Sequence, residues 1–192
     1  FIESCDNYIK QTYRNRCSII AANGVMPLSI PVEKPQTSKC LTRDIRIAEH
    51  GNWRHLHWNS IVSAYNSTPF FEYYEDELCP FYEKKFDFLF DYNEQLRELI
   101  CSWIGIDTSH IYYTTDFKME FAESELDFRE VIHPKKDWRT LDVAFEAKPY
   151  YQVFSERFGF LPNQSIVDLV FNMGNESILV LESSQEGVEF SC

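Results

Sequence analysis

The residue types best suited to binding an anion are concentrated near the start of the chain. If residues 8–17 form an extended strand, alternation places every second side chain on one face. That face carries a tyrosine, a threonine and three cations: Tyr8, Lys10, Thr12, Arg14 and Arg16. The cations could bind a phosphate, a diphosphate or a carboxylate, because guanidinium groups form bidentate hydrogen bonds with such oxygens. The same face could instead be solvated, or its arginines could pair with carboxylates elsewhere.

His57 is the first candidate for a general base. Helical spacing places it on one face with three large apolar or aromatic residues, so we expect its ring to point toward the interior. These residues are Trp53, Ile61 and Tyr65. His57 is then either a core histidine with satisfied hydrogen bonds or a base in a ligand pocket. His55 lies about 200° from His57 around a helix axis, so the two cannot share a metal ion, and no metal site is predicted.

His133 is the second candidate for a general base. It follows Glu130 by three residues and precedes Pro134 and two lysines. A carboxylate and an imidazole close in sequence could exchange a proton, but no periodicity fixes their geometry. An exposed loop histidine is the alternative.

The six cysteines show neither a disulfide pattern nor a metal-binding pattern. Their spacings are irregular and include no C-x-x-C pair, which favours reduced thiols and a cytoplasmic location. Cys17 follows Arg16, but strand alternation turns it to the opposite face, so we expect a small buried hydrophobe rather than an activated thiol. A Gly-rich phosphate loop, a G-x-S-x-G elbow and an H-E-x-x-H motif are all absent from the sequence, which points to no particular cofactor.

Composition restricts the class of protein. A chain of 192 residues with 44% hydrophobic residues can form its own core, since roughly 70% of the unfolded surface is buried at this length. The 30 acidic residues outnumber the 18 basic ones, so a broad nucleic-acid surface is excluded. No apolar run approaches the roughly 18 residues of a membrane span, so no membrane insertion is expected.

The charge is divided unevenly along the chain. Residues 1–58 carry 8 basic and 5 acidic side chains, a net charge of +3. Residues 59–192 carry 10 basic and 25 acidic side chains, a net charge of −15. We therefore expect any anionic ligand to bind in the N-terminal third.

A β-hairpin is predicted in this N-terminal third. Two short apolar runs, residues 17–22 and 25–32, flank Asn23-Gly24, which is a strong hairpin signal. A two-residue loop at that dipeptide would place Pro27 and Pro31 where a backbone N–H must pair, which proline cannot supply. We therefore expect a longer loop or a bulge, with the second strand at a sheet edge.

Further short strands and an irregular connection are predicted on either side of a helical centre. Residues 44–48 alternate isoleucines with charged residues, and residues 111–115 are β-branched and aromatic, so both are candidate strands. Residues 116–149 show weak patterning, typical of an ordered but irregular connection.

The helices are predicted in the centre and near the end of the chain. Asn52 is a candidate N-cap for the helix that contains His57. Pro80 begins a second helix that ends before Gly105. The predicted fold class is α+β in one domain, with an N-terminal hairpin and central and C-terminal helices; a three-layer α/β arrangement is the alternative.

The C-terminal helices have their own start and stop signals. Ser165 and Asp168 resemble a capping box at the start of an apolar helix that ends at Gly174. Asn175 or Ser177 could then cap a last helix.

Seven segments form a combination that is specific although each segment alone is not. They are YRNRC (13–17), LSIPV (28–32), WRHLHW (53–58), AYNSTPFFEYY (64–74), REVIHPKK (129–136), YYQVF (150–154) and LPNQSIVDLVFNMG (161–174). Together they resemble the WbqC-like family of bacterial proteins over nearly the whole chain. The resemblance implies a single WbqC-like domain over residues 1–192 that lacks the strand and helix with which the family pattern usually begins.

The resemblance also implies a role in the biosynthesis of bacterial surface polysaccharides such as O-antigen. The family pattern maps onto six residues: Arg14, Asn15, Arg16, Trp53, His57 and Tyr65. We therefore expect a transferase that acts on a nucleotide-linked amino sugar by acyl or aminoacyl transfer. Arg14 and Arg16 would bind its phosphates or a carboxylate, Lys10 would add charge, and Asn15, Trp53 and Tyr65 would also contact the substrate. His57 or His133 would be the base.

Two other functions remain as alternatives from the sequence. A non-catalytic binding or scaffolding protein would show an exposed aromatic patch, for which Tyr73, Tyr74, Phe81 and Tyr150 are candidates. A metal-dependent hydrolase is the third possibility. The donor, the acceptor and the oligomeric state do not follow from the sequence; the expected partner is a nucleotide sugar or another small anion.

Overall fold

The computed structural model describes residues 1–35, 37, 39–123, 125–142 and 144–185, and within them the fold is α+β. The strands are β1 (Arg16–Ala21) and β2 (Gly24–Ser29). The helices are α1 (Trp53–Tyr65), α2 (Phe71–Leu78), α3 (Pro80–Glu83), α4 (Leu89–Ile104), α5 (Trp138–Leu141), α6 (Ser155–Phe158), α7 (Ile166–Met173) and α8 (Ser177–Ser183). Short 3₁₀ helices cover Thr42–Asp44 and Gly174–Glu176. The named sheet is two-stranded and antiparallel, so the three-layer α/β alternative is wrong for the described residues.

The predicted hairpin is present, but its loop lies one residue earlier than the Asn23-Gly24 dipeptide. Ala21 pairs with Gly24 across a two-residue loop, and the pairing continues without interruption to Arg16 and Ser29. This register places Pro27 opposite Ser18, three pairs from the loop, where an antiparallel ladder requires no N–H from that residue. The expected longer loop or bulge is therefore wrong, because moving the loop by one residue accommodates the proline.

The expected extended strand over residues 8–17 is wrong before Arg16. The chain turns instead, since the Thr12 hydroxyl donates to the Ile9 carbonyl and the Asn15 amide contacts the Thr12 carbonyl. Thr12 is consequently buried and Lys10 exposed, so the five side chains expected on one strand face are not arranged by alternation. Of these five residues, only Arg16 lies in a strand, where it pairs with β2.

Helix α1 begins at Trp53 as predicted, and it buries Trp53, Ile61 and Tyr65. Asn52 occupies the N-cap position, as predicted, but it lies in the left-handed conformation (φ 49°) and its side chain makes no capping bond. Helix α1 packs on β1 and α3. This placement directs His57 toward the hairpin.

The second predicted helix is divided in two. Pro80 does begin a helix, α3, but it ends at Glu83, and Lys84 is extended before α4 starts at Leu89. Helix α4 ends as predicted, with Gly105 in the left-handed conformation (φ 74°) at its C-cap. The preceding helix α2 was not predicted.

The predicted strands outside the hairpin are single bridges. Ile47 bridges Val32 and Tyr113 bridges Ile2, without continuous ladders. The alternation at residues 44–48 did identify buried positions, because Ile45 and Ile47 are 1% and 3% exposed. The described residues between 116 and 149 form an irregular connection, as predicted, apart from the one-turn helix α5.

Helix α7 begins directly after Ser165, as predicted, but the capping box is wrong. The Ser165 side chain makes no capping bond, and the Asp168 carboxylate bonds to residues outside the helix. Gly174 ends α7 at φ +56°, and a Cβ there would lie 2.6 Å from the Phe70 ring. Helix α8 begins at Ser177, one of the two predicted starts.

Two buried clusters join these elements. The larger one lies between β1, β2, α1, α2, α4 and α7 and includes Ile19, Tyr65 and Phe171. The smaller one surrounds Trp53 and Tyr92. In the part of the chain that the structure describes, no helix is both long and apolar enough to cross a membrane.

Candidate functional site

The candidate site is a cavity of about 560 Å³ bounded by the hairpin, α4 and the start of α7. We call it the His57 cavity. Its polar and charged side chains are Tyr13, Arg14, Asn15, Arg16, His57, Asn93, Glu94, Arg97 and Ser165. Leu28, Leu96, Ile100 and Ile104 supply apolar wall. Four predicted site residues, Arg14, Asn15, Arg16 and His57, therefore lie on one cavity, although the predicted strand face does not exist.

Arg14 is held by groups of the protein. Its guanidinium forms an ion pair with Asp6, whose other carboxylate oxygen accepts from the Thr42 hydroxyl. The Arg14 carbonyl accepts from the side-chain amide of Asn93 on α4, at 2.7 Å. These contacts fix the chain immediately before β1. Much of the charge of Arg14 is therefore used within the fold.

Asn15 is fixed by β2 but retains an unpartnered acceptor. Its backbone carbonyl accepts from the Ile30 amide at 2.8 Å, and its Nδ2 donates to the Ile30 carbonyl at 3.0 Å. This donation orients the side-chain amide. The Oδ1 atom is then buried without a hydrogen-bond partner among the described residues.

Arg16 is the cation of the cavity with unused bonding capacity. It makes no ion pair with a described residue, and its Nε is buried without a partner. By contrast, Arg14, Arg46, Arg54 and Arg97 each contact a carboxylate. A buried guanidinium nitrogen without a partner costs free energy, which an anion bound beside it would offset.

Tyr8 lies close enough to Arg14 and Arg16 for their charges to lower its pKa, although burial outweighs them and raises it. Its hydroxyl is also buried without a partner among the described residues. We refer to Tyr8, Asn15 and Arg16 as the Arg16 cluster. It presents both unused donors and an unused acceptor.

His57 projects from α1 into the cavity, partly buried. Trp53 packs against it one turn earlier, with ring centroids 5.2 Å apart in an edge-to-face arrangement. Burial lowers the pKa of His57 below its ordinary 6.5, and the nearby Ser29 backbone opposes that shift in part. His57 is therefore neutral at pH 7 and able to accept a proton.

The far wall contains a polar group that the sequence did not indicate. Glu94 accepts hydrogen bonds from Arg97 at 3.0 Å and from the Tyr113 hydroxyl at 2.9 Å. One guanidinium nitrogen of Arg97, Nη1, remains buried and unpartnered. Among the described residues, seven buried side-chain atoms lack a partner, and three of them belong to residues that line this cavity: Asn15, Arg16 and Arg97.

Cys17 lies on the cavity wall but is not activated. Burial raises the pKa of its thiol, and a hydrogen bond with Ser165 only partly opposes this. Arg16 is adjacent in sequence and does not reverse that direction. The expectation of a small hydrophobic role is consistent with its packing against the larger buried cluster.

Four other predicted site residues lie outside the His57 cavity: Lys10, Trp53, Tyr65 and His133. Lys10 lines a neighbouring cavity, and Trp53 lies behind His57 in the smaller buried cluster. His133 is in a turn, where its Nδ1 accepts from the Lys135 amide at 3.1 Å. It lines neither this cavity nor the neighbouring one. The structure thus brings His57, and not His133, to Arg16.

Tyr65 is fully buried in a second polar group, the Asp168 cluster, formed by Tyr65, Tyr150, Gln152 and Asp168. One Asp168 oxygen accepts from Tyr65 at 2.8 Å, and the other accepts from Tyr150 at 2.7 Å and Gln152 at 2.9 Å. Gln152 also exchanges two bonds with the Leu161 backbone. Burial raises the pKa of Asp168 despite these donors. The cluster joins α1 to α7 and leaves Tyr65 no contact with the cavity.

Several important side chains were missed by the sequence analysis, although weak signals exist. Asn93 interrupts the apolar stripe of α4, and such an interruption indicates a buried polar contact. Asp168 similarly interrupts the apolar run of α7. Asp6 gives no local signal, because its partner Arg14 lies in a different turn of the chain.

The aromatic residues proposed for a scaffolding patch do not form one. Tyr73 is 75% exposed, but Tyr74 packs on Trp103 with centroids 4.7 Å apart. Phe81 stacks on Phe86, and Tyr150 belongs to the Asp168 cluster.

Side chains of the types that bind metal ions do not cluster in the described part of the chain. Within it, no set of three or more His, Cys, Asp or Glu side chains could hold a metal ion. The five cysteines it contains are free thiols, and Cys192 lies outside it.

Comparison with known proteins places the N-terminal two thirds of the chain in a recognised family. A model described as the WbqC-like protein family matches residues 2–133, which include Arg14, Asn15, Arg16 and His57. A protein of Mycobacterium tuberculosis described as "Uncharacterized protein Rv1507c" is 28% identical over 189 residues, covering 88% of this chain and 81% of that protein. No solved structure matches the chain.

Proposed function

The chain belongs to the WbqC-like protein family, and from that premise and the His57 cavity we propose that it is a transferase acting on a nucleotide-linked amino sugar. In this proposal Arg16 binds an anionic group of the substrate and His57 is the general base. Arg14 and Asn15 position the segment that carries Arg16. The wider setting we propose is bacterial surface-polysaccharide biosynthesis.

One observation supports this proposal above the others. Arg16, without an ion pair among the described residues, and His57, with a lowered pKa, line the same cavity. An unused guanidinium suits an anion, and a neutral imidazole suits removal of a proton from a nucleophile.

The proposed reaction is acyl transfer to the sugar amine. The amine nitrogen forms a bond to the carbonyl carbon of an activated acyl ester or thioester, while His57 takes the proton that the amine loses. The bond to the leaving group breaks, and the leaving group departs with its electron pair. The leaving group then takes the proton from His57, which restores the neutral imidazole.

We also propose that residues 1–192 form one domain. The family model ends at residue 133, yet Ser165, Ile166 and Leu181 line the His57 cavity together with Arg14 and Arg16. The C-terminal helices would therefore complete the cavity rather than form a separate unit.

The test is an assay of acyl transfer by mass spectrometry, with nucleotide-linked amino sugars as acceptors and acyl-CoA thioesters as donors. We expect an acylated product with the wild-type chain and a loss of at least about 100-fold in rate with His57→Gln. His55→Gln is the matched control, because His55 is exposed on another face of the same helix and bonds to Asn59. An equal loss in both variants, or full activity in His57→Gln, would contradict the assignment of the base.

A non-catalytic binding protein is the second candidate, and one segment favours it. Residues 112–132 expose Phe117, Met119 and Leu126 to 52%, 83% and 78%. Phe117 and Leu126 line one cavity together with Phe121 and Phe128, and apolar surface concentrated in this way is typical of a protein interface. A monodisperse monomer that produces acylated sugar would remove this candidate.

A further inference from the structure

A second cavity adjoins the His57 cavity and shares two of its residues. It has a volume of about 390 Å³, and Asn15 and Arg16 line both cavities. Its other polar residues are Tyr8, Lys10, Gln11, Ser29, Glu33 and Lys34. We call it the Lys34 cavity. Arg16 therefore stands between two spaces that a single ligand could fill together.

The Lys34 cavity is positively charged within an acidic protein. Lys10, Arg16 and Lys34 face one carboxylate, Glu33, whereas the whole chain carries a net charge of −12. None of these four side chains makes an ion pair with a described residue. Three unpaired cations around one cavity suit a ligand group that carries more than one negative charge.

The unpartnered atoms specify the ligand further. Arg16 Nε and the Tyr8 hydroxyl are buried donors, and they require an acceptor such as a phosphate oxygen. Asn15 Oδ1 is a buried acceptor, and it requires a hydroxyl or amine donor. An inorganic anion satisfies the first requirement only. A phosphorylated sugar satisfies both.

We infer that the Lys34 cavity binds the diphosphate of the substrate, with Lys10, Arg16 and Lys34 as its cationic contacts and Tyr8 as a hydrogen-bond donor. This inference rests on the proposed function, which it deepens by assigning the diphosphate and the amino sugar to different cavities. The diphosphate lies in the Lys34 cavity, the sugar passes Asn15, and the sugar amine reaches His57. Lys34 is a binding residue that the sequence analysis did not indicate.

Isothermal titration at constant ionic strength tests this inference, with inorganic pyrophosphate and UDP as probes. We expect both probes to bind the wild-type chain. Lys10→Ala/Lys34→Ala should weaken each probe at least tenfold. Lys84→Ala/Lys85→Ala is the matched control, since it removes two exposed lysines that line neither cavity, and it should leave both affinities unchanged. Equal weakening in the two double variants would overturn the inference, because the effect would then be one of net charge.

The same experiment separates this inference from the proposed function. His57→Gln should bind pyrophosphate as the wild type does, since His57 lines only the other cavity. Pyrophosphate binding that depends on Lys10 and Lys34 supports the diphosphate site even if no acyl product forms. Failure of both probes to bind a chain that transfers acyl groups would overturn the diphosphate site and leave the transferase proposal standing.

Discussion

The Asp168 cluster and the Arg16 cluster are both groups of buried polar atoms, but they use their hydrogen bonds differently. Each oxygen of Asp168 accepts from a neighbour, and Gln152 bonds through both its amide atoms. In the Arg16 cluster, Tyr8, Asn15 and Arg16 each retain a buried atom without a partner among the described residues. The paired groups of the Asp168 cluster stabilise the fold, whereas the unpaired atoms of the Arg16 cluster line a cavity where a ligand could pair with them.

Removing Asp168 should have the largest effect on stability. Asp168→Ala leaves the donors of Tyr65, Tyr150 and Gln152 without their acceptor, and each unsatisfied buried group costs about 1–3 kcal/mol. We expect a loss of about 3 kcal/mol or more, which lowers the thermal midpoint by roughly 6–12 °C. Circular dichroism melting measures this. A drop of less than about 2 °C would mean that this cluster is not structural.

Removing Arg14 should have the next largest effect. Arg14→Ala leaves Asp6 unpaired, and the Asp6 side chain is only 9% exposed. A buried charge without its partner should cost about 2 kcal/mol, or roughly 4–8 °C in the melting temperature. Adding Asp6→Asn should recover part of this loss, because the uncompensated charge is then removed. No recovery in the double variant would show that the Arg14–Asp6 pair does not carry the effect.

Removing Asn93 should have a smaller effect that reaches the site. Asn93→Ala removes one hydrogen bond to the Arg14 carbonyl, worth about 1 kcal/mol or roughly 2–4 °C. Because that bond fixes the segment leading to Arg16, ligand affinity should also fall several-fold. Gln95→Ala changes an exposed residue of the same helix that does not line the cavity, and it serves as the control. Unchanged ligand affinity in Asn93→Ala would show that the hydrogen bond to the Arg14 carbonyl does not position Arg16.

The two regions should respond to pH with opposite signs, and this is the smallest effect. The pKa of Asp168 is raised by burial, so its contribution to stability is greatest below about pH 3.8 and is lost as the pH rises through its folded pKa. Tyr65 and Tyr150, which face it, titrate far above this range because burial raises their pKa values. The pKa of His57 is lowered by burial, so its contribution is present above about pH 6.5 and is lost as the pH falls through its folded pKa.

Urea unfolding at several pH values measures both signs. The stability of the wild type relative to Asp168→Asn should decrease as the pH rises. Its stability relative to His57→Gln should decrease as the pH falls below about 6.5. If both stability differences changed in the same direction with pH, the burial assigned to Asp168 or to His57 would be contradicted.

The sequence predicted those parts of the fold that depend on local patterns. The hairpin, the helix from Trp53, the end of α4 at Gly105 and the start of α7 after Ser165 follow from turn, proline and glycine signals. The exact register did not, because Pro27 can be accommodated either by a bulge or by moving the loop, and the sequence does not rank the two.

The candidate site was predicted by residue type but not by geometry. Uneven charge directed attention to the segment around Arg14 and Arg16, which the structure places on the His57 cavity. Strand alternation gave the wrong arrangement, because the Thr12 side chain stabilises a turn there. Arg14 pairs with Asp6 across an irregular turn and with Asn93 from a distant part of the chain, and no periodic pattern reveals either contact.

Arg16→Ala tests most directly the claim that the unpaired atoms of the Arg16 cluster bind a ligand. The measurement is the thermal midpoint of wild type and variant, each with and without a nucleotide-linked amino sugar at about 100 times the wild-type dissociation constant. Such a ligand adds about 2.7 kcal/mol, so the wild-type midpoint should rise by roughly 5–10 °C. We predict that Arg16→Ala, having no ion pair to lose, melts within about 2 °C of the wild type and shows no ligand shift. A full ligand shift in the variant, or a large loss of stability without ligand, would contradict the account.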